Sequence, residues 1–206
     1  MLKRIQISLL VLLLSSYCFA QKVTKQMLTI HGIEEIRINT AKVFELNIVS
    51  TNANVLEIET KMEGEYYRDV NVITATKNKQ LQLSCQLAED FELPNDKLSA
   101  HKVFSITMNI YIPKHLKVQF EGDETQVYIQ GSYKKLWGML ISGNYKLYEL
   151  EGEAKLQTKK GNIHYIKQKL PTFETQSDRE LVFYEKGKKV ELKADNGKIT
   201  YSADKG

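Results

Sequence analysis

The sequence predicts an all-β protein in which antiparallel N-terminal strands continue into a short β-solenoid with an 18-residue repeat. Three observations carry this. Five units in the last third, Thr125-Gln-Val-Tyr-Ile, Gly143-Asn-Tyr-Lys-Leu, Gly161-Asn-Ile-His-Tyr, Arg179-Glu-Leu-Val-Phe and Gly197-Lys-Ile-Thr-Tyr, each begin 18 residues after the one before. Nearly everything after Gln21 alternates apolar with polar and is rich in Val, Ile, Thr, Tyr and Phe, which puts successive side chains on opposite faces of half-buried strands. No segment after Gln21 has a convincing helical period, and 88–100 is polar, carries Pro94 and reads as a long loop.

Taken in order, the chain opens with Lys3 and Arg4, an apolar run from Ile5 to Leu14, and Cys18-Phe19-Ala20 before Gln21. That is the order of a secretory signal peptide over 1–20, with an apolar run short of the roughly 20 residues a membrane span needs. No later segment approaches that length. Cys18 offers an alternative, lipid anchoring after cleavage in front of it, against which stands the bulky Tyr17. Cleavage after Ala20 leaves 186 of the 206 residues, enough for one domain with a substantial core. Cys85 is then the remaining cysteine, so no internal disulfide forms; on the alternating stretch Leu81-Gln-Leu-Ser-Cys it reads as a small buried residue.

Strands follow at Met27–Ile30, Ile36–Ile38, Val43–Ile48, Val55–Thr60, Val70–Ile73, Leu81–Leu83 and Phe104–Ile112. Turns at Ser50–Asn54 and Lys77–Lys79 suggest antiparallel pairing over 21–116, and Pro113 ends that half because it lacks an amide donor. From Leu116 the strands shorten and Gly becomes regular. No linker separates 21–116 from the solenoid half, 117–206, so the two read as one continuous domain.

The third and fifth positions of the units are Val127 and Ile129, Tyr145 and Leu147, Ile163 and Tyr165, Leu181 and Phe183, Ile199 and Tyr201, all apolar or aromatic, and every second position is polar. One face is therefore inward, in the same phase in each unit. Val118-Gln-Phe120, Ala154-Lys-Leu156 and Val190-Glu-Leu192 supply a second strand per coil at the same spacing, whereas Trp137–Ile141 and Phe173 read as out of register. A single coil cannot bury its apolar face and stacked coils can. Five rungs would make a rod of roughly 24 Å. Gly143, Gly161 and Gly197 suit turns with positive φ.

The strand patterns Val43-Phe-Glu-Leu-Asn-Ile48, Val55-Leu-Glu-Ile-Glu59, Leu81-Gln-Leu83, Asn109-Ile-Tyr-Ile-Pro113 and Leu116-Lys-Val118, with the Gly-Asn-Tyr-Lys-Leu and Gly-Asn-Ile-His-Tyr units, resemble the adhesin families of bacterial envelope proteins, the auto-transporter adhesin head (GIN-type) domain and its close relatives. The resemblance runs from about residue 35 to the end. It implies a solenoid-like surface or periplasmic protein, and it brings no catalytic motif. Thr125 and Arg179 stand where it would place Gly, which implies bulged or irregular rungs there.

The chemistry in the chain is sparse. Net charge is +4, falling to +2 as Lys3 and Arg4 leave, which argues against bulk capture of nucleic acid. His31, His101, His115 and His164 lack metal-ligand spacing, and nucleophile elbows, phosphate loops and dinucleotide fingerprints are absent. Glu34-Glu35 and Asp123-Glu124 are neighbours in sequence and point to opposite faces of a strand, so neither pair can flank one glycosidic bond. Asp90 and Asp96 supply too few oxygens for calcium. No metal, cofactor or catalytic residue is assigned.

One feature suggests binding. The outward stripe of the units stacks Tyr128, Lys146, His164, Val182 and Thr200 beside Gln130, Tyr148, Ile166, Tyr184 and Ser202, making Tyr128, Tyr148 and Tyr184 candidate ligand-binding residues for a glycan or an extended partner. The competing expectation is that the N-terminal half folds over this stripe and covers it. The functional reading is an exported, non-catalytic envelope interaction or scaffolding protein, periplasmic or at the cell surface; the alternatives are a polysaccharide-acting β-helix enzyme and a periplasmic glycan-binding protein. The last unit ends the chain without an evident cap, which exposes a strand edge to edge-to-edge dimerisation.

Overall fold

The structure, a computed structural model, describes residues 21–64, 67–88 and 104–204. The signal segment, Cys18, Asp90, Asp96, His101 and most of the long loop lie outside these residues. The strands are β1 (Gln21–Thr29), β2 (Glu35–Asn39), β3 (Glu45–Thr51), β4 (Val55–Gly64), β5 (Val70–Lys77), β6 (Gln80–Leu87), β7 (Phe104–Pro113), β8 (Lys117–Gly122), β9 (Gln126–Leu140), β10 (Tyr145–Thr158), β11 (Ile163–Lys167), β12 (Phe173–Gln176), β13 (Glu180–Glu185), β14 (Lys188–Ala194) and β15 (Ile199–Ala203). The protein is all-β, and these strands form one 15-stranded sheet.

The sheet has two arms because β9 and β10 are long enough to serve both and each bends midway. Gly131 and Gly152 hold positive φ, at 99° and 102°, and the register between β9 and β10 shifts around Tyr148–Glu153. Before the bend, the first arm runs β1-β4-β7-β3-β9-β10-β11-β15; beyond it, the second runs β5-β6-β2-β8-β9-β10-β14-β13-β12. The inward faces meet. Phe120 of β8 lies 6.0 Å from the ring of Tyr145 on β10, and Tyr165 of β11 lies 5.3 Å from Phe183 of β13. Buried side chains of both arms form a single core that includes Leu46, Ile110, Phe120, Leu147 and Leu192.

Several expectations are corrected. The N-terminal half is not antiparallel throughout: β2 pairs parallel with β6 and β8, and β3 pairs parallel with β7 and β9. Only β1–β4, β4–β7 and β5–β6 are antiparallel there. The chain crosses from one arm to the other between β2 and β3, so each strand stacks on an earlier or later strand of its own arm. Leu46 therefore sits beside Val127 as one more rung.

The units at 125, 143 and 161 are neighbours at 18-residue steps, Val127 beside Tyr145 and Tyr145 beside Ile163. The next neighbour of Ile163 is Ile199, 36 residues on. The unit at Arg179 leaves the column because Lys186 and Gly187, both at positive φ, close a two-residue turn that pairs Glu185 with Lys188. Such a turn makes a tight antiparallel hairpin and cannot carry the chain across to the other arm. With β12 this hairpin covers the end of the stack, Phe173 lying 4.9 Å from Tyr201 and 5.8 Å from Phe183. The last unit is thus partly capped. Tyr201 is still 37% exposed, while the other nine expected core residues are buried. Trp137, expected out of register, is in it, with Gln119 and Lys155 on either side.

The glycines are required for a reason other than φ. Gly143, Gly161 and Gly197 lack positive φ, but their backbones pack on one another, and a Cβ on Gly197 would lie 1.7 Å from the Gly161 carbonyl oxygen. Thr125 begins this column without a bulge. Its hydroxyl is buried and donates or accepts among Thr40 Oγ1 at 2.8 Å, the Val43 carbonyl at 2.9 Å and the Thr40 carbonyl at 3.2 Å.

Candidate functional site

The outward face of the first arm presents two adjacent rows set by register. One reads Asn109, Asn47, Tyr128, Lys146, His164 and Thr200; the next reads Tyr111, Val49, Gln130, Tyr148, Ile166 and Ser202. Both alternate with buried rows, so the strand period that packs Ile48, Ile129 and Leu147 inward turns these side chains outward. Tyr128 is 40% exposed, Tyr111 36%, and Tyr148 partly buried. The N-terminal strands do not cover this face; they extend it edge to edge.

A shallow concavity of about 460 Å³ opens here, bordered by Asn47, Val49, Tyr128, Gln130, Lys146 and Tyr148. Its polar groups are positioned. Asn47 donates through Nδ2 to Asn109 Oδ1 and to Glu45 Oε1, both at 2.8 Å. His164 Nδ1 lies 2.7 Å from Thr200 Oγ1. The Tyr148 hydroxyl donates to Asp204, and that carboxylate keeps the phenol protonated above its ordinary range. At the corner beside these rows, Asn144 Nδ2 donates to Gln126 Oε1 at 3.0 Å, Asn144 Oδ1 accepts from the Asn162 amide at 2.7 Å, and Asn162 Oδ1 accepts from the Lys198 amide at 2.9 Å. This amide ladder satisfies turn donors and stiffens the edge of the platform.

Of the three expected tyrosines, the structure brings together Tyr128 and Tyr148. Tyr184 is 54% exposed but lies on β13, opposite Lys189 in the second arm, and Val182 beside it is buried. Both leave the column for the same reason the Arg179 unit does. Tyr111 takes the third place. Its outward phase was readable in Asn109-Ile-Tyr111-Ile, but its position beside Val49 depends on the parallel pairing of β3 with β7 across 62 residues, which no local pattern reports.

The other candidates have ordinary surroundings. Glu34 pairs with Lys79 at 2.6 Å, and this contact holds its carboxyl below the usual range. Glu35 accepts from Arg37 at 2.8 Å and from Gln80 at 3.1 Å. Asp123 and Glu124 are exposed, as are His31 and His115. Burial pushes the Cys85 thiol up to about 11, the behaviour of a core residue rather than a nucleophile. Among the described residues no group of three or more His, Cys, Asp or Glu side chains is placed to hold a metal ion.

No protein-family model matches the chain, and no curated protein matches it. Its fold is similar to that of a solved structure from Clostridium sporogenes named a putative cell adhesion protein, with a TM-score of 0.55, 12% identity, and coverage of 90% of this chain and 100% of that one. A Bacteroides fragilis structure named a putative adhesin gives 0.42 at 16% identity, covering 71% of this chain and 64% of that one. Another so named, from Parabacteroides distasonis, gives 0.38 at 14% identity, covering 71% of each. The first likeness is one of fold alone, and the other two add nothing to it.

Proposed function

We propose that this chain is an exported, non-catalytic, adhesin-like envelope protein that binds a neutral saccharide on the outward face of its first arm, through Tyr128, Tyr148 and Tyr111. The observation that carries the reading is the tyrosine-bordered concavity left open beside Asn47, Gln130 and Lys146. A tyrosine ring is flat and apolar with a hydroxyl at one end, and amide side chains nearby donate and accept without imposing charge. That combination suits the apolar face and the hydroxyls of a sugar ring. The fold likeness to a protein named for cell adhesion agrees with this role, as does the secretory signal read at 1–20. We further read the two arms as coils of a short solenoid, with 21–116 and 117–206 in one domain; the shared rung of Leu46 and Val127 supports it.

The test is binding of the purified protein to an array of neutral glycans, followed by titration of the strongest binder. Tyr128→Ala with Tyr148→Ala should weaken it about tenfold or more, equivalent to roughly 1.4 kcal/mol. Tyr184→Ala should leave it unchanged. Full affinity in the folded double variant would sink the proposal, and so would binding only to proteins.

A further inference from the structure

We propose a second binding site, on the outer face of the other arm, that takes a carboxylated saccharide and is centred on Trp137. It goes beyond the saccharide site above and does not depend on it.

Trp137 is the chain's only tryptophan. Its neighbours in β9, Leu136 and Gly138, turn inward, and a Cβ on Gly138 would lie 2.2 Å from the ring of Phe120. The indole is thereby set outward, partly exposed, in a row with Arg37, Gln119 and Lys155. The adjoining row is Glu35, Lys117, Lys135 and Glu153. Between them lies a concavity of about 370 Å³ bordered by Glu35, Arg37, Lys117, Gln119, Lys135 and Trp137.

The charges point to an anion. Lys117 and Lys135 are direct register partners, and like charges opposite one another on a ladder are destabilising. Lys135 is met by Glu153 at 2.7 Å. The carboxylate that could neutralise Lys117 from the other side, Glu35, is occupied by Arg37 and Gln80. Among the described residues no ion pair reaches Lys117, whose charge is felt by Glu34 without a direct contact. With Glu153 on Lys135 counted, the three cations Arg37, Lys117 and Lys135 stand against the two carboxylates Glu35 and Glu153, a surplus of one positive charge at the concavity. A small inorganic anion would leave the indole unused. A sugar ring stacked on Trp137, with its carboxylate between Lys117 and Lys135 and its hydroxyls toward Gln119, uses the whole site.

Because Trp137 is the sole tryptophan, its fluorescence reports this site directly. The full protein is titrated with tetragalacturonate, with neutral galactotetraose and with a four-nucleotide oligothymidylate. A saturable change with tetragalacturonate alone is expected, weakened about tenfold or more in Lys117→Gln with Lys135→Gln, both exposed positions, and unaltered in Tyr128→Ala with Tyr148→Ala. No saturable change up to about 10 mM, below which a sugar site of useful affinity would respond, overturns the proposal. An equal response to galactotetraose or to oligothymidylate, or undiminished affinity in the lysine variant, overturns it as well. None of these outcomes bears on the tyrosine face.

Discussion

The backbones of Gly143 and Gly161 are so close that a Cβ on Gly161 would stand 2.0 Å from the Gly143 carbonyl oxygen. The obstacle is main chain, so a substitution must force neighbouring hydrogen-bonded rungs away from each other. Gly161→Ala should cost about 1–3 kcal/mol, the range for overpacking a well-filled site, seen as a lower urea midpoint with an unchanged slope. Gly32→Ala is the control: its φ is 78° but nothing lies within 4 Å of the new methyl, so only the left-handed backbone penalty of about 1–2 kcal/mol applies. Urea midpoints lowered by Gly161→Ala far less than by Gly32→Ala would mean that the column yields easily.

Thr125 heads the same column with a buried hydroxyl shared by Thr40 and Val43. Thr125→Val keeps the shape and takes the hydroxyl donor from the Val43 carbonyl, while Thr40 keeps its bonds to Glu121 and Val43, for an expected loss of about 1–3 kcal/mol. Thr125→Gly, the residue that recurs at 143, 161 and 197, should be the worse of the two because it also leaves a void. Thermal unfolding of both variants orders them; a glycine variant as stable as the parent would refute this account of the rung.

Lys167 and Glu185 form an ion pair with side chains only 8% and 18% exposed. Glu185→Ala leaves the ammonium of Lys167 buried without its partner and should cost about 3–5 kcal/mol. Replacing both, Lys167→Met with Glu185→Leu, should recover most of that loss, because no charge then remains to be desolvated. A double-mutant cycle by chemical denaturation measures this directly, and additive losses would show that the two residues are not coupled.

Two carboxylates predict acid sensitivity. The bond from Gln157 at 2.9 Å and then Lys193 lower the Asp195 pKa, and Lys189 followed by Lys155 lowers that of Glu191. A group depressed on folding stabilises above its unfolded value and loses that contribution as pH falls through the folded one. Stability should hold from neutral pH toward about 5 and drop below about 4, where free carboxylates protonate. Asp195→Asn should flatten some of that drop. Identical pH profiles for parent and variant would assign the acid limb to other groups.

Much of this architecture was legible in the residues. The inward phase of Val127, Tyr145, Ile163 and their partners follows from period-two alternation, and nine of the ten expected core positions are buried. The steps from Val127 to Tyr145 to Ile163 were legible too, as a repeat. Less legible was which outward side chains share a face: alternation turns Tyr128 and Tyr148 outward on neighbouring rows, whereas Tyr184 lies on the other arm and the places of Tyr111 and Trp137 are set by strand pairing. Of the Lys186-Gly187 turn that removes Tyr184 from the column, only Gly187 was a turn signal in the sequence, since Lys is not among the residues that favour the positive φ it adopts here.

The sequence by itself determined which side of its strand each residue faces, because neighbouring side chains on an extended backbone must alternate and apolar ones must be buried. Which strands lie side by side was decided by the tertiary structure. Ile199 rests on Ile163 rather than on Leu181, and Tyr111 beside Val49, because strands compete for edges across many residues and the outcome turns on crossings, turn geometry and how closely two backbones can approach. The same contest left the tyrosine face and the Trp137 concavity open, so the surfaces proposed to bind are set by how the arms assemble.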